Sequence, residues 1–225
     1  MASEVNVDRL VKQTRQYEFA DGLRDLQFAL LFLAGGLIAW LATEPLWFAF
    51  VRGLAQTFGR WAAWASLLIV FLPALAALGM LGVMNLLRRR WLWRVSGVVK
   101  PSRLIVPRRV SVISVAIMLG SIALGFALRQ FGWADDGFVL RMLWAGTGWS
   151  FGYTLIALGQ SIDLARYIRL GAVGALASTA LLFAPLTFGQ AALALGLLWG
   201  VLLSVSGMTT LRTMLRSARD AHHAE

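Results

Sequence analysis

The chain has 225 residues, of which 59% are hydrophobic and only 14% are charged. A soluble domain of this length carries about 25% charged residues, so the composition excludes a soluble protein and predicts an integral membrane protein. We interpret the net charge of +10 as the basic bias of cytoplasmic loops and an attraction to anionic lipids, and not as nucleic-acid binding, because no nucleic-acid-binding motif accompanies it. The absence of cysteine excludes disulfides, thiolate metal sites and cysteine nucleophiles.

The first 25 residues form a cytoplasmic segment in which acidic and basic side chains are mixed. Val7, Leu10, Val11 and Thr14 recur at helical spacing within residues 5–20, which predicts an amphipathic helix lying on the membrane surface. An interfacial anchor is the favoured interpretation, and a docking face for a partner is the alternative. The acidic residues at 21–25 are expected to pair with neighbouring basic loops at the inner surface.

Six apolar segments predict an all-α, polytopic membrane bundle, because a helix needs about 20 apolar residues to cross the hydrocarbon core. The predicted spans are residues 26–43, 61–87, 110–128, 138–160, 168–184 and 188–208. Pro185 favours a tight hairpin between the last two. The run 67–72 is apolar at every position, unlike the alternating strands of a membrane β-barrel. The transmembrane domain is therefore residues 26–208, and residues 209–225 form a C-terminal tail.

The basic residues predict the orientation of these spans. Of the 21 lysines and arginines, all except Arg52, Arg60, Arg129 and Arg141 fall in segments that six spans place on one side of the membrane. Short cytoplasmic loops are rich in lysine and arginine. Both termini are therefore expected in the cytoplasm of a multi-pass cell-membrane protein.

The basic cytoplasmic loop 88–109 follows the second span and combines cations with tryptophan and proline. Guanidinium groups suit phosphate through paired N–H donors, so contact with anionic lipids or with a partner is the hypothesis for this loop, and ordinary topogenic charge is the simpler alternative. The candidate contact residues are Arg88, Arg89, Arg90, Arg94, Lys100, Arg103, Arg108 and Arg109.

The fourth span is the most polar of the six, and we expect it nearest the centre of the bundle. Thr147, Ser150, Tyr153 and Gln160 are the candidate lining of an intramembrane cavity, if the protein has one.

Pairs of small residues at four-residue spacing let helix backbones approach closely. Gly148 with Gly152, and Gly196 with Gly200, are the predicted packing positions. Packing within the bundle is favoured over a dedicated dimer face.

No acidic residue, lysine or histidine lies in the middle of a predicted span, and no nucleotide-binding or catalytic motif is present. The sequence therefore predicts a non-enzymatic protein without a metal site or cofactor, although a noncovalently bound lipid or pigment is left open. The leading hypothesis is a subunit or accessory factor of a larger membrane complex, with the lipid bilayer and other membrane subunits or further copies as partners. The alternative is a permease or lipid-handling transporter component, acting as an oligomer or with a separate energising subunit.

Two short stretches carry a resemblance. Residues 17–23, which lead into the first span, resemble the opening of small bacterial multispan membrane proteins of unassigned activity, and residues 94–101 resemble their basic loop after the second span. The resemblance implies a location in the bacterial inner membrane and no known chemistry.

Overall fold

The computed structural model describes residues 22–61, the helical positions 71, 72, 75, 76, 78–80, 82–84, 86 and 90, and residues 107–223. These residues are almost entirely helical and include no strand, so the predicted all-α class is confirmed. The continuous helices are α1 (Leu23–Leu41), α2 (Pro45–Phe58), α3 (Arg108–Gln130), α4 (Asp136–Ile162), α5 (Ala165–Thr179) and α6 (Phe188–His223), with short 3-10 turns at Gly59–Trp61 and Ala180–Leu182.

Local sequence sets where these helices begin and end. The Asp135 carboxylate accepts a 2.6 Å hydrogen bond from the Phe138 N–H at the start of α4, and Asp163, with φ of 58°, ends that helix in the left-handed region. At the start of α6, Thr187 and Gln190 exchange side-chain and backbone hydrogen bonds. This reciprocal pair satisfies two amides that the helix leaves open. Pro185 lies in the break between α5 and α6.

The main helix contacts pair α1 with α6, α4 with α5, and α3 with α4, and both α4 and α5 also touch α6. Helices α1 and α6 run antiparallel, because Gly22 lies beside Gly207 at one end and Thr43 lies beside Gly189 at the other. Fully buried side chains at the centre include Trp199 and Leu203 of α6.

The crossing of α1 and α6 is close because glycines face each other. A Cβ added to Gly36 would lie 2.8 Å from the Ala192 carbonyl oxygen, and one added to Gly196 would lie 2.6 Å from the Phe32 carbonyl oxygen. Any side chain at these two positions would force the helices apart.

Three of the described helices are long and apolar enough to cross a membrane: Leu23–Leu41, Arg108–Gln130 and Phe188–Arg216. They agree with the first, third and sixth predicted spans and are compatible with a membrane location. Helix α5 has 15 residues, fewer than a simple crossing needs. Glycine and hydroxyl residues lower the hydropathy of α4. Most of the second predicted span lies outside the described residues. The six-span count stays a prediction.

Two stretches that the sequence left between or beyond spans are helical. Residues 45–58 form α2, where a connection between the first two spans was expected. Helix α6 continues through the predicted C-terminal tail as far as His223 and has 36 residues. At 1.5 Å per residue it is about 54 Å long, well beyond a hydrocarbon core of about 30 Å.

Candidate functional site

The described residues contain one fully buried carboxylate, Asp25, in the first turn of α1. Its Oδ1 accepts a hydrogen bond from the Tyr167 hydroxyl, and its Oδ2 accepts a 2.6 Å hydrogen bond from the Ser206 hydroxyl. The Arg166 guanidinium lies 3.7 Å from Oδ2 and also donates to the Thr210 hydroxyl. We call Asp25, Arg166, Tyr167, Ser206 and Thr210 the Asp25 cluster.

Three helix segments bring the Asp25 cluster together at one end of the bundle. Gly22, with φ of 71°, turns the chain into α1, and its carbonyl oxygen lies against Gly207 of α6. Asp163 ends α4, so α5 begins at Ala165 and places Arg166 and Tyr167 in its first turn. The close approach at Gly22 and Gly207 allows Ser206 to reach across to α1.

The electrostatics of the cluster are those of a paired buried charge. An isolated carboxylate in a medium of low dielectric is strongly destabilised, and a pair is retained only when its remaining lone pairs are satisfied. Asp25 meets that condition through two hydroxyl donors and one guanidinium. The Arg166 guanidinium carbon also lies 5.0 Å from the centre of the Tyr167 ring, which favours the cation at this position.

The chemistry open to the cluster is charge pairing between the Asp25 carboxylate and the Arg166 guanidinium. Ser206 donates its hydroxyl proton to the carboxylate, and the two histidines lie at the far end of α6, at 222 and 223. Sixteen helical residues, about 24 Å along the helix axis, separate Ser206 from residue 222. The described residues hold no group of His, Cys, Asp and Glu side chains that could bind a metal ion.

An aromatic group from three helices lies in the same core. The Phe151 and Trp199 rings meet edge to face, with centroids 4.7 Å apart, and Phe32 stands 4.6 Å from Phe151. Trp199 fills the space over Gly174 of α5. Edge-to-face rings pack favourably beyond their buried area, so this group holds α1, α4, α5 and α6 together.

The predicted cavity residues of α4 are spread over different environments. Thr147 donates to the Leu143 carbonyl oxygen in its own helix, and the Ser150 carbonyl oxygen accepts from Thr154 and Ser114. Tyr153 is partly buried and Gln160 is exposed. These hydrogen bonds run along α4 and join it to α3, and an intramembrane cavity lined by the four predicted residues stays a prediction.

An apolar groove of about 280 Å³ lies beside the crossing of α1 and α6. Gly35 lines the groove and faces open space, whereas Gly36 and Gly196 line it where the two helix backbones touch. Leu31, Phe32, Ala192 and Leu195 complete its walls.

The four predicted packing glycines all lie at helix contacts. Gly148 faces Ser178 and Gly152 faces Gly171, both between α4 and α5. Gly196 faces Gly36, and Gly200 faces Leu33, both between α6 and α1.

Only part of the predicted basic contact set lies in the described residues. Arg108 and Arg109 begin α3 and are exposed, and Arg90 is exposed. The predicted contacts Arg88, Arg89, Arg94, Lys100 and Arg103 lie outside the described residues.

Sequence reasoning expected the acidic residues at 21–25 to pair with basic loops, and Asp25 does pair with Arg166. It missed that Asp25 is fully buried, and it missed Tyr167, Ser206 and Thr210. The available signal was the position of Asp25 within the first turn of an apolar helix, where a charge needs a partner.

Comparison of the chain with protein-family models, with curated proteins and with solved structures finds no match.

Proposed function

We propose that this chain is a non-enzymatic subunit or accessory factor of a larger membrane complex, a six-span protein of the bacterial inner membrane with both termini in the cytoplasm. The observation that carries the proposal is the shape of α3. This helix has small residues on two opposite faces, and the described part of the chain packs against only one of them.

The occupied face of α3 consists of its three buried residues, Ser114, Ser121 and Gly125. Gly125 lies against Met142, and Ser121 fills the space over Gly146, while Ser114 and Thr154 share a 2.6 Å hydrogen bond. All of these contacts are with α4. Only 11% of the α3 span is buried, compared with 44% for α6.

The opposite face of α3 carries Ala116, Gly120, Ala123 and Ala127, and all four are exposed. Their spacing of four, three and four residues places them on one strip, on the far side of the helix from Ser121. A Cβ added to Gly120 would meet no heavy atom of the described residues within 4 Å. We call these four residues the α3 strip.

Large exposed side chains, including Leu119 and Leu124, flank the α3 strip and give it the form of a shallow channel between ridges. In a membrane, helices associate where small residues let backbones approach, because apolar burial alone does not distinguish a helix from lipid. The α3 strip therefore suits the transmembrane helix of another subunit. The exposed arginines at the start of α3 would meet lipid phosphate or acidic residues of that partner.

Cross-linking in native membranes tests this proposal. Because the chain has no cysteine, a single introduced cysteine is the only thiol that the reagent can label. Gly120→Cys and Ala123→Cys place a photoreactive maleimide on the strip, whereas Val115→Cys and Phe126→Cys place it on the flanks. We expect one discrete adduct with a second protein from the strip positions only. Gly120→Leu, combined with Ala127→Cys, should reduce that adduct at least several-fold.

Lipid adducts alone from all four positions would contradict the proposal, as would adducts of equal yield around the helix. If the strip positions gave adducts of the chain with itself, the partner on the α3 strip would be a second copy of this chain and not another subunit.

The second candidate is a lipid-handling transporter component, and the apolar groove between α1 and α6 favours it. Gly35→Phe should fill the groove and remove a co-purified lipid in native mass spectrometry, while Gly120→Phe should leave that lipid in place. Equal lipid retention by both variants would count against this candidate.

A further inference from the structure

Helix α2 is an amphipathic helix that buries no residue against the rest of the described chain. Its apolar side chains cover one broad arc and include Leu46, Trp47, Phe50, Leu54 and Phe58. Leu46 is 81% exposed and Phe58 is 57% exposed. Such an apolar surface is stable only against a second apolar medium.

The polar side of α2 is narrow and carries Arg52 and Gln56, one helical turn apart, with the exposed Phe48 at its border one turn before Arg52. The third polar residue of the helix interior is Thr57. Its hydroxyl donates to the Gly53 carbonyl oxygen at 3.1 Å, so this donor does not need water as a hydrogen-bond partner. A wide apolar arc opposite a polar side that carries a cation is compatible with a helix that lies in a membrane interface.

The position of α2 in the chain places it at such an interface. Helix α1, a candidate span, ends at Leu41, and α2 starts at Pro45 after a three-residue turn. With 14 residues, α2 is about 21 Å long and too short to cross a core of about 30 Å. Gly59, with φ of 55°, ends it, just before residue 61, where the second predicted span begins.

We propose that α2 lies flat in the headgroup region of the leaflet farther from Asp25, with its apolar arc in the acyl chains and Arg52 at the level of the phosphates. The proposal rests on the membrane location that the proposed function assumes. Its partner is a phospholipid surface, and no second protein is required. Trp47 and the phenylalanines of α2 suit this depth because aromatic rings favour the interface.

A phospholipid partner is favoured over a protein groove by the geometry of the turn. Residues 42–44 allow little separation between the end of α1 and the start of α2, so the first turn of α2 must lie at the membrane boundary where α1 ends. The acyl region is the apolar medium within reach of Leu46 and Phe50. Arg52, on the other side of α2, then faces headgroups and water.

Electron paramagnetic resonance of single spin labels tests this inference with the full chain in nanodiscs of phosphatidylcholine and phosphatidylglycerol. Leu46→Cys, Phe50→Cys and Leu54→Cys sample the apolar arc, and Arg52→Cys and Gln56→Cys sample the polar side. Leu31→Cys, at an exposed position of α1, reports the bilayer interior, and Ala134→Cys reports the α3–α4 turn.

We expect the ratio of oxygen to nickel-complex accessibility to alternate along α2 and to be several-fold higher on the apolar arc than at Arg52 and Gln56. Labels that are all accessible to the nickel complex, with Leu31 still in lipid, would overturn the inference while the membrane location stands. Labels on the arc that are shielded from both reagents would overturn it in favour of a protein partner. Nickel accessibility at Leu31 itself would overturn the membrane location and the inference together.

Discussion

Asp25 shows how a single side chain can join three helices. Its two oxygens accept from α5 and α6 while it belongs to α1, so every change in the relative position of these helices breaks a charge-assisted hydrogen bond. Such bonds are stronger than neutral ones, and Asp25 is fully buried, so their loss leaves a buried charge without compensation. The Asp25 cluster therefore acts first as a structural clamp at one end of the bundle.

If the Asp25 cluster is a structural clamp, removing the Asp25 carboxylate should destabilise the protein much more than removing the exposed Asp136 carboxylate. Asp25→Ala should lower the free energy of unfolding by about 3–5 kcal/mol, because it leaves a guanidinium and two hydroxyls without their acceptor. Tyr167→Phe should cost about 1–3 kcal/mol. Unfolding in mixed micelles, followed by tryptophan fluorescence, measures both.

Asp136→Ala is the matched control for this prediction. The Asp136 side chain is 74% exposed and pairs with Arg129 at the surface, so its removal should change stability by less than about 1 kcal/mol. Equal effects of the Asp25 and Asp136 variants would show that the buried pair contributes no more than a surface pair.

The helix pair of α1 and α6 depends on backbone contact more than on side-chain volume. Gly36 and Gly196 face each other across the crossing, and the aromatic group around Trp199 lies beside them. Close backbones increase dispersion contacts, which is the main source of helix association where lipid competes for apolar surface.

Two adjacent glycines of α1 allow a sharp test of this crossing. Gly36→Val should destabilise the protein by about 1–3 kcal/mol, because a side chain there meets the Ala192 backbone and forces the helices apart. Gly35→Val should be nearly neutral, since a Cβ at Gly35 would meet no heavy atom of the described residues within 4 Å. Thermal unfolding of the two variants in the same detergent compares them, and a loss at Gly35 as large as that at Gly36 would refute the assigned crossing.

The helices together give the molecule two distinct ends. Asp25, Arg166 and Thr210 meet at one end, and Thr43 meets Gly189 at the other. The chain segments that flank the Asp25 end, residues 1–24, 163–169 and 211–225, carry nine of the 21 lysines and arginines. This basic charge supports the proposed orientation, in which the Asp25 end faces the cytoplasm.

Labelling of single cysteines with a membrane-impermeant maleimide tests the proposed orientation. Ala134→Cys, in the α3–α4 turn, should react in intact spheroplasts. Ser102→Cys, in the basic loop, and Ala224→Cys, near the C-terminus, should react only in inverted vesicles or after permeabilisation. Reaction of Ser102→Cys in intact spheroplasts would refute the six-span arrangement.

Much of the secondary structure was predictable because long apolar segments can satisfy their backbone in a membrane only as helices. The third predicted span, 110–128, lies within α3, and the break at Pro185 separates two helices. Helix α2 was not predicted, because its 14 residues are too short for a span and the segment was left as a connection between the first two spans.

Composition and the distribution of charge were enough to predict an all-helical protein of membrane type, since both reflect the solvent that each segment meets along the chain. They could not show that Asp25 is buried, that Tyr167 and Ser206 hold it, or that one face of α3 stays exposed while the opposite face packs. Those features depend on contacts between residues more than a hundred positions apart and on which faces of neighbouring helices meet. Local periodicity contains no information about such pairings, because many helix arrangements bury the same apolar residues and only the packed bundle selects one.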